Sequence, residues 1–154
     1  MTPLPPDLTT RLAEAANAPE GLHSSEALAD RWLADASEDR GDPDEMSWSD
    51  LCVFELDAHP EELFAFCLRA IRKAENPRQV GLIAAGPLEE LIARHGAAII
   101  DRLEEAARRS ARIRFALTGI WQGETAPEVW ARIEAARIGA MEAGFDAGGP
   151  LPPA

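Results

Sequence analysis

Apolar residues recur at helical spacing along nearly the whole 154-residue chain, and most apolar stretches follow a residue that starts helices well. Leu8, Leu12, Ala15 and Ala16 outline a first helix that ends near Asn17 and Pro19. Ser24 or Ser25 can cap a second, with Leu28, Trp32, Leu33 and Ala36 on its apolar face. Pro60 suits a first helical position, with Glu61 and Glu62 favourable in the first turn and Leu63, Phe64, Cys67, Leu68 and Ile71 behind them. Asn76–Pro77 repeats that start signal, and Gly86–Pro87 must break or kink the chain because proline lacks the amide donor. Leu88, Leu91, Ile92 and His95 share the next face, which Gly96 is expected to end. Ile99 to Ala107 gives another face, and Ile113, Leu117, Ile120 and Trp121 one more. Thr125 is the expected cap of a last helix through Val129, Trp130, Ile133 and Ala136.

Only Leu51-Cys52-Val53-Phe54 is ambiguous, since four consecutive apolar residues suit a strand as well as a buried helix. Trp48, Leu51, Cys52 and Leu56 keep helical spacing behind Ser47 or Ser49, so the segment is assigned to a helix. The pattern predicts an all-α fold: a compact bundle of about eight short helices in antiparallel pairs, in a single domain over residues 1–143. A short HEAT-like stack is the alternative, but no repeat with a period of about 40 residues supports it. Residues 144–154, rich in glycine and proline, are expected to form a disordered tail.

A chain of this length buries enough surface to fold without metal or disulfide staples. Cys52 and Cys67 stand on apolar stretches without zinc-like or redox spacing, and read as reduced core residues. The chain has four Trp, five Phe and no Tyr, and Trp32, Trp48, Trp121 and Trp130 each sit on an apolar helical face, so at least three of them should be largely buried. No run approaches the roughly 20 apolar residues that span a bilayer, and the N-terminus lacks the pattern of a signal peptide. A cytoplasmic location follows as the expectation. Lys73 is the only lysine among 15 basic residues, a bias that points to GC-rich bacterial coding.

Charge divides the chain sharply. Residues 1–62 hold 16 acids against Arg11, Arg31 and Arg40, a balance of −13, whereas residues 63–154 hold 11 acids against 12 bases, a balance of +1. Such a field disfavours nucleic acid and anionic lipid and favours encounter with a basic protein. Asp35, Glu38, Asp39, Asp42, Asp44 and Glu45 crowd a segment with little apolar character, and are the candidate partner-binding residues.

Catalytic motifs are scarce. The chain has no GxSxG, P-loop, GxGxxG or HExxH, and its three histidines do not form an i,i+4 pair, so no catalytic residue, cofactor or metal is assigned. The basic run Arg108-Arg109-x-x-Arg112-x-Arg114 lacks an aromatic platform for stacking bases.

The distinctive string is Ala85-Gly86-Pro87-Leu88-Glu89-Glu90-Leu91, followed by His95-Gly96 and by Gly119-Ile120-Trp121. Over about Trp48 to Ile133 the chain resembles a bacterial domain family of unknown function with an AGPLED-like segment, a downstream HG and a terminal G-x-W. The resemblance implies a compact helical domain and no activity. Read locally, Gly86 caps a helix, Pro87 takes its first position, and Glu89 reaches back to the free amide at the cap.

Two functions compete. The favoured one is a non-enzymatic acidic module that neutralises or escorts a basic partner, immunity-like by analogy alone. The alternative is a small hydrolase or ligand-binding domain with a cleft built from Glu89, Glu90, Arg94, His95 and Trp121.

Overall fold

The computed structural model describes residues 1–37, 44–141, 144–145 and 149–154. Among these the chain is all-α, with eight α-helices: α1 (Pro6–Ala16), α2 (Ser25–Ser37), α3 (Trp48–Glu55), α4 (Pro60–Lys73), α5 (Pro77–Ile83), α6 (Glu89–Arg109), α7 (Ala111–Leu117) and α8 (Pro127–Ala136). A 3-10 turn, Leu56–Ala58, joins α3 to α4, and a π-helical turn, Ala84–Leu88, joins α5 to α6. The chain divides into two compact units, Met1–Ala70 and Ile71–Ala154, with the boundary within α4.

In the first unit, α1 and α2 pack on α3. Local sequence places each start and stop. Asn17 takes a left-handed conformation (φ 54°, ψ 36°) and closes α1 with its amide on the Leu12 carbonyl. The Ser24 hydroxyl accepts from the Ala27 amide at the start of α2. Ser47 and Asp50 form a reciprocal capping box, and this settles the ambiguous apolar run as helix α3. Leu8, Leu12, Leu28, Leu56 and Phe66 are fully buried, and Trp32 meets Phe66 edge-on at 5.9 Å.

In the second unit, α6 packs on α7 and α8. Asn76 caps α5 by accepting from the Gln79 amide, and Ser110 caps α7 by accepting from Ile113. Gly86 (φ −117°, ψ −106°) breaks the helical path as its Gly-Pro sequence requires.

The expected interruption falls one residue before Gly96: α6, which runs to Arg109, is two helical segments joined across a kink at His95 (φ −128°, ψ 15°). A Cβ on Gly96 would stand 2.8 Å from Val129 Cγ1, so glycine here also serves the close approach of α8. Thr125 is not the cap of α8: Ala126 holds that position, Pro127 follows, and the buried Thr125 hydroxyl has no hydrogen-bond partner among the described residues.

Of the four tryptophans, Trp32 is 8% exposed and Trp48 and Trp130 are half-buried, whereas Trp121, expected on a buried face, is 78% exposed. α7 ends at Leu117 and the chain turns through Thr118 and Gly119, so the helical face read through Trp121 stops before reaching it.

Within the stretch read as a disordered tail, described residues have definite partners. Phe145 stacks on Phe115 with ring centroids 4.6 Å apart. A Cβ on Gly119 would meet the Phe145 ring at 2.7 Å, and one on Gly81 would meet the Phe145 Cβ at 3.0 Å. Arg112 binds the end of the tail: its backbone amide donates to the Pro153 carbonyl and its Nε to the Pro152 carbonyl, each at 2.9 Å. Its Nη1 donates to the Arg72 carbonyl at the end of α4, at 2.7 Å.

Candidate functional site

The acidic segment begins where α2 ends and returns at the start of α3. Of its six candidate residues, Glu38, Asp39 and Asp42 lie outside the described residues. Asp44 and Glu45 are exposed. Asp35 is only 3% exposed; its carboxylate accepts from the buried Ser49 hydroxyl and pairs with Arg31. Ser49 in turn shares a hydrogen bond of 2.7 Å with Ser47, the cap of α3. Asp35 therefore ties α2 to α3, and is not part of a surface offered to a partner. Helical periodicity carried the signal: Asp35 stands three residues after Trp32 and seven after Leu28, on the inward side.

The first unit carries 16 acidic residues against Arg11, Arg31, Arg40 and Arg69, a net charge of −12. Arg11 is taken by Glu55, Arg31 by Asp35, and Arg69 by Asp30 in a two-pronged contact of 2.8 Å at each nitrogen. At Glu26, burial works against ionisation, but hydrogen bonds from the Thr2 amide at 3.0 and 2.9 Å outweigh it and hold the carboxyl below its ordinary range.

The five residues of the alternative cleft all belong to the second unit, and four of them form two pairs. Glu89 Oε2 accepts from the Trp121 backbone amide at 2.9 Å, so its role is a tertiary tie across 32 positions and not the local cap expected from Gly86. Glu90 pairs with Arg94 at 3.2 Å, with both side chains about 60% exposed. Such a pair contributes little. His95 is half-buried at the bend of α6, and Trp121 presents its indole to solvent on a backbone fixed by Glu89.

Elsewhere in this unit, charge is cancelled between neighbours. Arg132 binds Asp101 and Glu104, Arg108 and Arg109 bind Glu105, and Arg137 pairs with Glu134 and lies 5.2 Å from the Trp130 ring centroid. The Arg132 hydrogen bond holds the Glu104 carboxyl below its usual range.

Neither cysteine is poised as a nucleophile. Burial, with Glu55 nearby, pushes the Cys52 thiol up to about 11, and full burial pushes Cys67 further still. Among the described residues no group of three or more His, Cys, Asp or Glu side chains could hold a metal ion, and no helix is long and apolar enough to cross a membrane.

Sequence reasoning missed Arg112 and Phe145, the two residues that fasten the C-terminal segment. A lone aromatic beside Gly144 was the available signal for Phe145; Arg112 was hidden in a run of like residues.

Fold and site together define a small all-α protein whose N-terminal unit keeps a large surplus of negative charge while its C-terminal unit balances its own. The chain belongs to a family of unknown function, DUF6869, whose model matches residues 36–141. No curated protein and no solved structure matches it.

Proposed function

We propose that the protein is a non-enzymatic binding module that neutralises or escorts a basic protein, with the acidic first unit as its partner-facing part. The observation that supports this most is the charge of −12 on 70 residues whose described cations are each engaged by an acid of the same unit. A field of that sign accelerates encounter with a cationic surface and repels phosphate backbones. Asp35 is removed from the partner-facing set by its burial, leaving Glu38, Asp39, Asp42, Asp44 and Glu45 as the segment that meets the partner.

The test uses two baits, the parent and a variant with Asp39, Asp42 and Asp44 changed to Asn and Glu45 to Gln, in lysate of the source cell. A basic protein retained by the parent at low salt should be lost from the variant, and lost from both at about 0.5 M salt, where the Debye length is only a few Å. With that protein purified, the variant should show slower association, a flatter salt dependence and a nearly unchanged dissociation rate. Retention indifferent to both the substitutions and the salt overturns the proposal.

A further inference from the structure

Along α1 the first unit holds an open cleft of about 630 Å³, inside the range of ligand-sized sites. It lies ahead of the stretch that the family model matches. Leu4, Leu12 and Leu22 contribute apolar floor, and Glu14 and Glu20 stand on the rim. The hydroxyls of Thr9 and Thr10, which also line it, are already spent on the Pro5 and Pro6 carbonyls, each at 3.0 Å.

The walls are built before anything binds. Asn17 turns the chain out of α1, Gly21 (φ 99°) turns it again, and the Leu22 amide reaches the Pro19 carbonyl. Residues 2–4 then pair with residues 23–25: the Leu4 amide donates to His23 at 2.8 Å, and the Ser25 amide to Thr2 at 3.0 Å. Binding into a fixed groove avoids the cost of ordering it.

The electrostatics favour one occupant. Among the described residues no lysine or arginine lines the cleft. Glu14 and Glu20, both exposed, have no ion-pair partner among the described residues, although Arg11 stands three positions before Glu14; Glu55 has taken it. An apolar floor with two uncompensated carboxylates at its edge matches a side chain that is aliphatic along its stem and cationic at its tip. We propose that this cleft seats a lysine- or arginine-bearing apolar segment of the basic partner, its aliphatic carbons against Leu4, Leu12 and Leu22 and its cation between Glu14 and Glu20. The inference rests on the reading of the protein as a module for a basic partner, and it gives that partner a point of specific contact apart from the diffuse field of residues 38–45.

The test is a titration of the full chain followed by backbone amide resonances at pH 8, where a histidine in water is neutral. Three blocked tetrapeptides serve as probes: Leu-Arg-Leu-Lys, the uncharged Leu-Gln-Leu-Gln, and Gly-Arg-Gly-Lys. The first should bind tightest and shift the amides of Thr9, Thr10, Ala13, Gly21, Leu22 and His23. Glu14→Gln with Glu20→Gln, both on exposed side chains, should weaken it about three- to tenfold. Ala13→Leu, which occupies the cleft without changing charge or helix propensity, should weaken it to a similar degree. Equal binding of Gly-Arg-Gly-Lys, or unchanged binding to both variants, overturns the cleft assignment while leaving the acidic-module reading standing. Failure of both cationic peptides to bind anywhere on the chain overturns the two together.

Discussion

The two units solve the same problem of surface charge in opposite ways. In Ile71–Ala154, 11 acids meet 11 bases, and arginines such as Arg132 and Arg108 are satisfied by carboxylates of the same unit. In Met1–Ala70, 16 acids meet four bases, so even full pairing leaves 12 negative charges over. A surplus of that size does nothing for the fold, since like charges destabilise a compact state. Neither unit owes its stability mainly to charge: both rest on apolar side chains at helical spacing, and ion pairs such as Arg69–Asp30 and Arg94–Glu90 lie on their surfaces.

The largest effects should therefore come from the cores. Phe66→Ala in the first unit and Phe115→Ala in the second should each cost about 3–5 kcal/mol in chemical denaturation, because both rings are fully buried. If Phe115→Ala is mild while removal of the Arg132 contacts unfolds the second unit, the comparison is wrong about what holds that unit together. Phe145→Ala should cost less, about 1–3 kcal/mol, since the ring is half-buried in its slot on Phe115. A change near zero would mean that the C-terminal segment adds nothing to the second unit.

Glu89→Ala should cost about 1 kcal/mol by leaving the Trp121 amide without its acceptor, and Glu89→Gln should recover most of it. Equal loss in the two variants would show that the carboxylate charge, and not the acceptor, matters there.

Acid titration probes the first unit through Glu26. Its folded carboxyl titrates below its unfolded value, so its contribution is present above about pH 4.5 and is lost as pH falls through the folded value. Glu26→Gln should flatten the decline in stability below pH 4.5; a parallel decline would remove Glu26 from the account. The smallest effect should be Trp121→Ala, within about 0.5 kcal/mol of the parent because the indole is exposed. A larger loss would mean that the indole packs in solution.

Much of the fold was legible because helix boundaries are local events. Asn17, Ser47 and Asn76 each close or open a helix through contacts within a few residues, and such contacts are written in the order of the chain. The same reasoning fell short where two readings share one local pattern. At Gly96 the sequence showed the interruption beside His95, but only the nearness of Val129 reveals a glycine also kept for packing. Glu89 stands at capping distance from Gly86, yet its partner is the amide of Trp121. Asp35 belongs to an acidic run by sequence and to the buried junction with Ser49 by structure.

Sequence alone determined the all-α class, the placing of the helices and the division of charge, because backbone hydrogen bonding and net charge depend on nearest neighbours and on sums. Tertiary structure decided which carboxylates are spent and which remain available, that Trp121 faces solvent, and that Phe145 and Arg112 fasten the C-terminal segment. Those outcomes depend on which distant residue arrives within 3–4 Å, a distance set by packing and not by chain order.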